Sequence, residues 1–354
     1  MIAALRKAGH EVHAAAPGLL DDTSTRRWLA ALGVICHDVP LARAGLNPFA
    51  DLRAFLSLRQ LIVRAEPDVF FGYTAKPVIW GLLAARLAGV PQRVVLITGL
   101  GYAFTEGGGV FRRLVRLLAH GLYRVALPCA TLVFFQNPDD RADFERMGLI
   151  PPGVPISVVA GSGIDLDQFA MQPLPRGPTR FLLIARLLAD KGIREYVRAA
   201  RLLRRDWPQI ECHLVGGVDP NPAGIPEAEV RAWHAEGDVI WHGQLEDVRP
   251  ILAQAHVYVL PSYREGTPRT VLEAMATARA VITSDAPGCR ETVVDGENGF
   301  LVPVRDAKAL AKAMERFLIE PALISQMGAA SRLLAERKYD VHKVNSQMLS
   351  AMAL

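Results

Sequence analysis

The sequence alternates short apolar runs with helical segments along most of its length, and this alternation stops once, at residues 171–180. That segment, MQPLPRGPTR, contains three prolines and a glycine and has no apolar periodicity, which is typical of a linker. Strands that alternate with helices form parallel sheets covered by helices. The sequence therefore predicts an α/β protein with two doubly wound domains, in which a ligand lies in the crevice between the domains, where the strands end.

Twelve runs have the composition of buried strands, six on each side of the linker. They are EVHAAAP, VICHDVP, DVFFGYT, RVVLITG, TLVFFQN and ISVVAGSGI before it, and FLLIARL, IECHLVGG, DVIWHG, HVYVLPS, AVITSD and GFLVPV after it. We place the first domain at residues 1–170, the second at 171–335, and a C-terminal helix that packs back on the first domain at 336–354. Because the chain opens inside a helix, we expect the first domain to lack its first strand.

Charge and composition exclude several classes of protein. The net charge of +4 over 354 residues is too small to indicate a nucleic-acid partner. No apolar run reaches the ~18 residues needed to cross a bilayer, and the N-terminal residues lack the layout of a signal peptide. The four cysteines, at 36, 129, 212 and 289, have no paired spacing, so we expect neither a zinc site nor disulfides, and a cytoplasmic location.

Two carboxylates lie eight residues apart in PSYREGTPRTVLEAMA, the segment that follows the strand-like run HVYVLPS. They are Glu265, in the loop after the strand, and Glu273, two turns along the next helix. Thr267 can cap that helix with Pro268 at its first position. A helix that begins directly after a strand points free N–H groups at one place, where phosphate binds well. A phosphate beside hydroxyl-binding carboxylates indicates a nucleotide sugar.

Cations and glycines follow two other strands of the second domain. Arg186 and Lys191 suit a diphosphate, because arginine offers a fork of donors and lysine a mobile charge. An ordinary exposed basic turn fits this pair equally well. Gly216 and Gly217 end another strand, where the backbone approaches a neighbour closely or takes a positive φ. The sequence has no histidine cluster, so we expect no metal.

The first domain contributes a weaker motif and one basic helix. Gly99 and Gly101 form a G-x-G directly after a strand, without the third glycine and the acidic residue of a dinucleotide-binding fingerprint. Residues 110–127 have an apolar helical face and an opposite basic face. The apolar face comprises Phe111, Leu114, Val115, Leu118, Leu122 and Val125, and the basic face Arg112, Arg113, Arg116, His120 and Arg124. Either the apolar face packs in the core and the basic face is solvated, or the helix lies near anionic headgroups or an acceptor diphosphate.

SYREGTPRTVLEAMA resembles the E-x7-E motif of the retaining glycosyltransferases of family 4, which have the GT-B fold of two facing Rossmann-like domains. IARLLADKG is similar to their diphosphate-binding turn, LVGG to their nucleotide loop, and VVAGSGIDLDQF and GCRETVVDGENGFLV to further segments. AGLNPFADL, FGYTAKPVIWGLLAARLAGVPQRVVLITGLGYAF and GGVDPNP resemble the branch that extends undecaprenyl-diphosphate sugars, which includes the N-acetylgalactosaminyltransferase acting on diphospho-undecaprenyl-bacillosamine. The resemblance extends over nearly the whole chain.

The resemblance implies a role for each donor-side residue. Arg186 and Lys191 would neutralise the donor diphosphate and stabilise the departing UDP. Glu265 would hold hydroxyls of the donor sugar, and Glu273 would accept hydrogen bonds from the ribose diol. The backbone N–H groups of Gly266 and Thr267 would bind the phosphates. No protein nucleophile, metal or cofactor other than the UDP-sugar substrate is implied.

The resemblance also implies an acceptor side in the first domain. Lys76 would face the crevice, with Tyr73 and Thr74 near the acceptor, and Gly99 and Gly101 would lie under the sugar or diphosphate. Many relatives carry a histidine close to the YTAKP segment, where this chain has Ala75.

These residues imply a retaining transferase that moves a hexosamine from a UDP-sugar to a polyprenyl-diphosphate-linked saccharide. We expect it to be peripheral on the cytoplasmic face of a bacterial inner membrane, through helix 110–127. Two alternatives stay open at this point: a non-catalytic nucleotide-sugar-binding remnant, suggested by the expected loss of the first strand, and a UDP-sugar 2-epimerase with the same architecture.

Overall fold

The computed structural model describes residues 1–41, 47–99, 110–221 and 223–354, with the side chains of helix residues 110–113 left out. Contacts between residues divide the chain into two compact units. The first comprises Met1–Val159 and Asn345–Leu354, and the second Ala160–Val344.

The first unit alternates strands and helices in chain order. Its elements are α1 (Ile2–Lys7), β1 (His13–Ala16), α2 (Thr23–Ala31), β2 (Ile35–Asp38), α3 (Pro48–Ala65), β3 (Val69–Tyr73), a π-helical turn (Pro77–Gly81), α4 (Leu82–Leu87), β4 (Gln92–Ile97), α5 (Val110–Ala126), a 3₁₀ turn (Leu127–Cys129), β5 (Leu132–Phe135), α6 (Pro138–Arg146) and β6 (Ile156–Val158). Strands β1 and β2 form a parallel pair, and β3, β4, β5 and β6 form a parallel four-stranded sheet in that order. Strand β5 is buried along its whole length, as a near-continuous apolar run in a parallel sheet requires.

The second unit repeats this alternation around one larger sheet. Its elements are β7 (Arg180–Ile184), a 3₁₀ turn (Ala189–Lys191), α7 (Ile193–Arg204), β8 (Glu211–Val215), α8 (Glu227–Ala235), β9 (Ile240–Trp241), α9 (Arg249–Ala253), β10 (Val257–Leu260), α10 (Arg269–Ala276), β11 (Ala280–Ser284), a 3₁₀ turn (Arg290–Thr292), β12 (Gly299–Val302), α11 (Ala307–Ile319), α12 (Ala322–Leu334), a π-helical turn (Ala335–Tyr339) and α13 (Val341–Ala351), whose last residues belong to the first unit. The six parallel strands have the order β9-β8-β7-β10-β11-β12, which is the Rossmann order 3-2-1-4-5-6.

That strand order places a topological switch point between β7 and β10. The chain moves outward from β7 through β8 to β9, and then returns to β10 on the other side of β7. Tyr258 pairs with Leu182 across this boundary. Because the crossovers on the two sides leave the sheet in opposite directions, the loops after β7 and β10 border an opening at the carboxyl edge, which is the usual ligand site of such sheets.

The predicted strands are all present, but the domain boundaries differ from the sequence analysis. Each of the twelve predicted runs overlaps one strand of the described chain, and only β4 and β7 begin one residue before their runs. The first boundary lies at 159/160 instead of 170/171, because residues 160–170 join the second unit: Ile164 donates its N–H to the Tyr339 carbonyl, and Phe169 is buried in that unit's core. The last boundary lies at 344/345 instead of 335/336.

Within the described ranges, no helix combines the length and the apolar composition needed to span a bilayer.

Candidate active site

The loops after β7 and β10 meet at the switch point through an ion pair. The Lys191 ammonium lies 2.6 Å from a carboxylate oxygen of Glu265, with the two side chains 16% and 15% exposed. Burial alone would lower the pKa of Lys191, but the charge and hydrogen bond of Glu265, with the charge of Asp190, outweigh it and raise that pKa. The lysine therefore stays charged at neutral pH in a site largely shielded from water.

Backbone contacts fix the loop that carries Glu265. Its N–H donates to the Pro287 carbonyl at 3.0 Å. Gly288 has a φ of +78°, and a Cβ there would lie 2.2 Å from the Glu265 carbonyl oxygen. Only glycine allows this approach. The segment after β11 therefore holds the Glu265 loop in place through Pro287 and Gly288.

Tyr263, which was not predicted from the sequence, connects the same loop to the turn before helix α7. Its N–H donates to the Asp190 carbonyl at 2.8 Å, next to Lys191. The charges of Glu195 and Arg305 act on its hydroxyl, and the Arg305 guanidinium lies 4.8 Å from the ring centre. Burial, followed by the charge of Glu195, raises the pKa of Tyr263 to about 12. No sequence signal pairs Tyr263 with Glu195, because they lie on separate strand–helix connections.

Glu273 lies on α10, as predicted, and its side chain is buried. Its carboxylate accepts from Arg269 Nε at 3.1 Å. Burial raises the pKa of Glu273, and the neighbouring Arg269 offsets this only in part. A ligand that donates to this carboxylate would stabilise its charged form.

The predicted start of α10 is wrong by one residue. Pro268 occupies the N-cap position with an extended backbone (φ −71°, ψ 106°), and Arg269 is the first helical residue. Thr267 is therefore not the cap. Its side chain packs against the backbone of Gly161, where a Cβ would lie 2.7 Å from the Thr267 Cβ. Gly266 and Thr267 precede the N-cap Pro268, so their N–H groups belong to the loop of Glu265.

Arg186 is paired elsewhere. Its guanidinium donates to Asp219 at 2.9 Å, in the loop after β8, and the arginine is mostly exposed. The structure thus brings Lys191 and Glu265 into contact but holds Arg186 against a carboxylate that the sequence analysis did not single out. Asp219 follows a glycine pair at a strand end, and that position could have drawn attention to it.

The glycine pair after β8 makes the predicted close contacts. A Cβ on Gly216 would lie 1.9 Å from the Ala185 carbonyl oxygen, and one on Gly217 would lie 2.7 Å from Gln244 Oε1. The predicted close backbone approach is confirmed for Gly216, which meets the residue that precedes Arg186, whereas Gly217 meets a side chain.

The first unit holds a second lysine–carboxylate pair. Lys76 lies 2.6 Å from Asp51 on α3, and both side chains are mostly buried. Two residues earlier, Thr74 has a φ of +67°, which is unusual for a β-branched residue. Tyr73 ends β3 with its side chain exposed. Gly99 follows β4 with a φ of +113°, and Gly101 lies outside the described residues.

The apolar face of helix α5 does not pack as a whole in the core, which was one of the two interpretations left open. Leu114, Leu118 and Val125, which belong to that face, are exposed, together with Leu117. Tyr123 and Ala126 are buried instead, and the Tyr123 ring lies 5.3 Å from that of Phe144. This packing turns the leucines outward beside the exposed Arg116 and Arg124. Phe111, Arg112 and Arg113 have side chains outside the described part.

In the described part of the chain, no group of three or more His, Cys, Asp or Glu side chains is placed to hold a metal ion.

Comparison with known families decides the class of protein. Residues 178–320 match the glycosyl transferases group 1, and residues 1–161 match the glycosyl transferase 4-like domain. The chain belongs to the glycosyltransferases. The family resemblance inferred from the E-x7-E segment is thereby confirmed, and the glycosyltransferase is an enzyme of the transferase class.

The relatives of this glycosyltransferase include two enzymes named for undecaprenol-linked sugars. It is 29% identical to the N,N'-diacetylbacillosaminyl-diphospho-undecaprenol alpha-1,3-N-acetylgalactosaminyltransferase of Campylobacter jejuni, over 91% of this chain and 86% of that one. It is 26% identical to the UDP-Gal:alpha-D-GlcNAc-diphosphoundecaprenol alpha-1,3-galactosyltransferase of Escherichia coli, over 78% and 73%.

Solved structures support the GT-B fold class. HepE of Anabaena, crystallised in complex with UDP, matches with a TM-score of 0.77 at 17% identity, over 99% of this chain and 94% of that one. At this identity the likeness concerns the fold alone, and it confirms the α/β, Rossmann-like architecture predicted from the sequence.

Proposed function

We propose that this glycosyltransferase moves a hexosamine, such as N-acetylgalactosamine, from a UDP-sugar to a saccharide carried on a polyprenyl diphosphate, with retention of configuration. The observation that carries the proposal is the buried Lys191–Glu265 pair at the switch point of the second unit. It sets a charged ammonium beside a hydroxyl-binding carboxylate, as a sugar diphosphate requires. The undecaprenol-linked substrates in the names of two relatives support the lipid-linked acceptor.

In the proposed mechanism, the donor diphosphate would bind the two cations that are now paired with carboxylates. The diphosphate would compete with Glu265 for Lys191, which leaves the carboxylate to accept hydrogen bonds from sugar hydroxyls. Arg186 would exchange Asp219 for a phosphate oxygen, since its side chain is exposed and long enough to turn. The backbone N–H groups of Gly266 and Thr267 would bind the same phosphates.

The nucleoside end would rest on Glu273 and the glycine pair. The Glu273 carboxylate would accept from both ribose hydroxyls, replacing part of its interaction with Arg269. Gly216 and Gly217 would leave room for the nucleotide beside the loop after β8. The proposal includes neither a metal nor a cofactor.

The transfer step needs no protein nucleophile in this proposal. The acceptor hydroxyl oxygen attacks the anomeric carbon on the face from which UDP departs, so that one C–O bond forms as the other breaks. The hydroxyl proton passes to the departing phosphate oxygen. Lys191 and Arg186 stabilise the negative charge that develops on UDP. Tyr73, Thr74, Lys76, Gly99 and Gly101 would serve the acceptor side.

A cytoplasmic, peripheral position on the inner membrane completes the proposal. Helix α5, within the basic segment 110–127, would contact the membrane. The exposed Leu114 and Leu117 beside Arg116 and Arg124 support this, because apolar and basic groups together suit a lipid–water boundary.

The test is an assay for released UDP. We expect release only when a UDP-hexosamine and an undecaprenyl-diphosphate-linked saccharide are both present, and its loss in Lys191→Ala. The matched control is Arg201→Ala, which breaks an ion pair with Asp238 near the other end of α7 and should leave turnover unchanged. No release with any UDP-hexosamine would overturn the proposal, and conversion of the UDP-sugar without acceptor would indicate an epimerase.

A further inference from the structure

Helix α3 has an exposed apolar stripe that the sequence analysis did not identify. Phe49 is 85% exposed, and Leu52, Leu56 and Val63 are 49% to 54% exposed. Spacings of three, four and seven residues put these side chains on one side of the helix. Their exposure is not a consequence of poor packing, because the same helix buries Ala54, Leu58 and Ile62 in the core of the first unit.

The charges beside this stripe are all positive. Arg53, Arg59 and Arg64 are exposed, and at 100° per residue they flank the stripe on both sides. The helix has one acidic residue over its whole described length, Asp51, which faces inward and is paired with Lys76. Glu66 and Asp68 follow only after the helix has ended.

Helix α3 shares a packing neighbour with α5, the other helix whose exposed leucines were described above. Both α3 and α5 pack against the turn Pro77–Gly81. On the α3 side, the rings of Phe55 and Trp80 meet edge to face, with centroids 6.5 Å apart. One turn of the first unit is thus flanked by two helices that each expose apolar and basic side chains.

We propose that the outer side of α3 is a membrane-binding surface, in which Phe49, Leu52, Leu56 and Val63 enter the boundary between headgroups and acyl chains. The arginines on either side would contact lipid phosphates. An anionic bilayer fits this surface better than a protein partner does, because an apolar stripe whose flanking charges on the helix are all positive is complementary to anionic headgroups over apolar chains. This inference rests on the proposed function in one respect: the lipid-linked acceptor is the reason for the enzyme to be at a membrane.

The experiment measures binding of the full chain to vesicles by co-sedimentation. Vesicles of phosphatidylethanolamine with phosphatidylglycerol are compared with vesicles of phosphatidylcholine alone. We expect the wild type to bind the anionic vesicles in a salt-sensitive way. The triple variant Phe49→Ser, Leu52→Ser and Leu56→Ser should bind at least about tenfold more weakly.

Two further variants separate the contributions to binding. Replacing Arg53, Arg59 and Arg64 by glutamine should remove most of the salt sensitivity, because each arginine lost is one fewer attraction to the anionic surface. The matched control is Ile319→Ser with Leu333→Ser, two exposed apolar residues of the second unit, which should bind as the wild type does. Circular dichroism checks that every variant is folded.

Three outcomes would overturn the inference. Vesicle binding unaffected by the triple variant would mean that α3 does not touch the bilayer, whether or not α5 does. The wild type could instead form dimers without binding vesicles, while the triple variant stays monomeric. That result would show that the stripe binds a second copy of the chain. Equal losses in the triple variant and the second-unit control would indicate a nonspecific effect of removing apolar side chains.

Turnover distinguishes this inference from the proposed function. With the acceptor in detergent micelles, the triple variant should release UDP as fast as the wild type, since none of its three positions is placed in the reaction. Absent turnover in the wild type would count against the proposed function and leave the vesicle result standing.

Discussion

Among the described residues, each unit of the molecule holds one lysine–carboxylate pair close to the end of a strand, and the two pairs are alike in geometry. Lys191–Glu265 and Lys76–Asp51 both have a separation of 2.6 Å, and all four side chains are mostly buried. The carboxylates differ in their supports. Glu265 is on a loop fixed by Pro287 and Gly288, whereas Asp51 is on α3, whose outer side carries the proposed membrane surface.

This difference shows that a similar ion pair can be built for different tasks. The pair of the second unit joins two loops at the switch point of a Rossmann sheet, where both partners can meet a nucleotide. The pair of the first unit joins a loop after β3 to a surface helix. We therefore expect the two pairs to contribute equally to the free energy of unfolding. Only the pair of the second unit should contribute to binding of the donor.

The largest effect should come from removing either carboxylate. Glu265→Ala and Asp51→Ala each leave a lysine buried without its partner, which costs about 3–5 kcal/mol of unfolding free energy. Urea unfolding at neutral pH measures both. The double variant Lys191→Met, Glu265→Leu should recover much of the loss, because it buries no charge.

The pH dependence sharpens this prediction for the second unit. In the wild type, the raised pKa of Lys191 gives stability that is present at neutral pH and is lost only as pH rises through that pKa. Without Glu265, burial dominates and lowers the pKa of Lys191. The Glu265→Ala variant should then regain stability relative to the wild type between about pH 7 and about pH 10. A constant difference over that interval would contradict the account.

Removing the charge of Glu273 should have the next largest effect. Glu273→Gln should weaken UDP binding about tenfold, because hydrogen bonds to a charged acceptor contribute about 1.5–3 kcal/mol. Since burial raises the pKa of Glu273, wild-type affinity should fall on acidification at a higher pH than an ordinary carboxyl would cause. Calorimetry should show this pH dependence absent in the glutamine variant, and Asp51→Asn should bind UDP normally. Identical pH profiles for wild type and Glu273→Gln would rule out this role.

Tyr263→Phe should have a smaller effect, confined to the reaction. Loss of the hydroxyl, which feels the charge of Glu195, should loosen the loop of Glu265, so kcat should fall about threefold to tenfold, in line with the loss of one polar interaction. UDP affinity should stay unchanged, because the variant leaves Glu273 and the glycine pair intact. Tyr123→Phe, in the core of the first unit, is the matched control. A parallel fall in UDP affinity would show that Tyr263 acts on the whole site and not on Glu265.

Two positive-φ residues give the smallest expected effects. Ala278 has a φ of +60° in the second unit, and Thr74 has +67° in the first. Replacing either by glycine relieves a left-handed conformation and should stabilise the chain by up to about 1 kcal/mol. Ala278→Gly should leave turnover intact, whereas Thr74→Gly should reduce it if the strained residue positions the acceptor. Calorimetric melting that shows Ala278→Gly to be destabilised would contradict the strain argument.

Strand positions could be read from the sequence because each strand is a short apolar run bounded by turn residues. HVYVLPS and TLVFFQN are examples, and both contain strands that are buried throughout. Site positions at strand ends followed from the same pattern. The start of α10 did not, because Pro268 suits the first helical position as well as the N-cap that it occupies.

Contacts between distant segments could not be read from the sequence. The pairing of Lys191 with Glu265 depends on β10 lying beside β7, and the alternation of strands and helices does not specify strand order. The proximity of Tyr263 to Glu195 and the ion pair of Arg186 with Asp219 also depend on the strand order. For α5, the helical wheel identified an apolar face but not its direction, which the packing of Tyr123 on Phe144 decides.

The most direct measurement of the central claim is a calorimetric titration of UDP into the wild type, Lys191→Ala and Lys76→Ala. Lys191→Ala should weaken UDP binding tenfold or more, by about 1.5 kcal/mol or more, because it removes the charge that meets the diphosphate. Lys76→Ala should bind UDP as the wild type does. Equal weakening by the two variants, or a larger effect of Lys76→Ala, would contradict the assignment of the donor to the second unit's lysine–carboxylate pair.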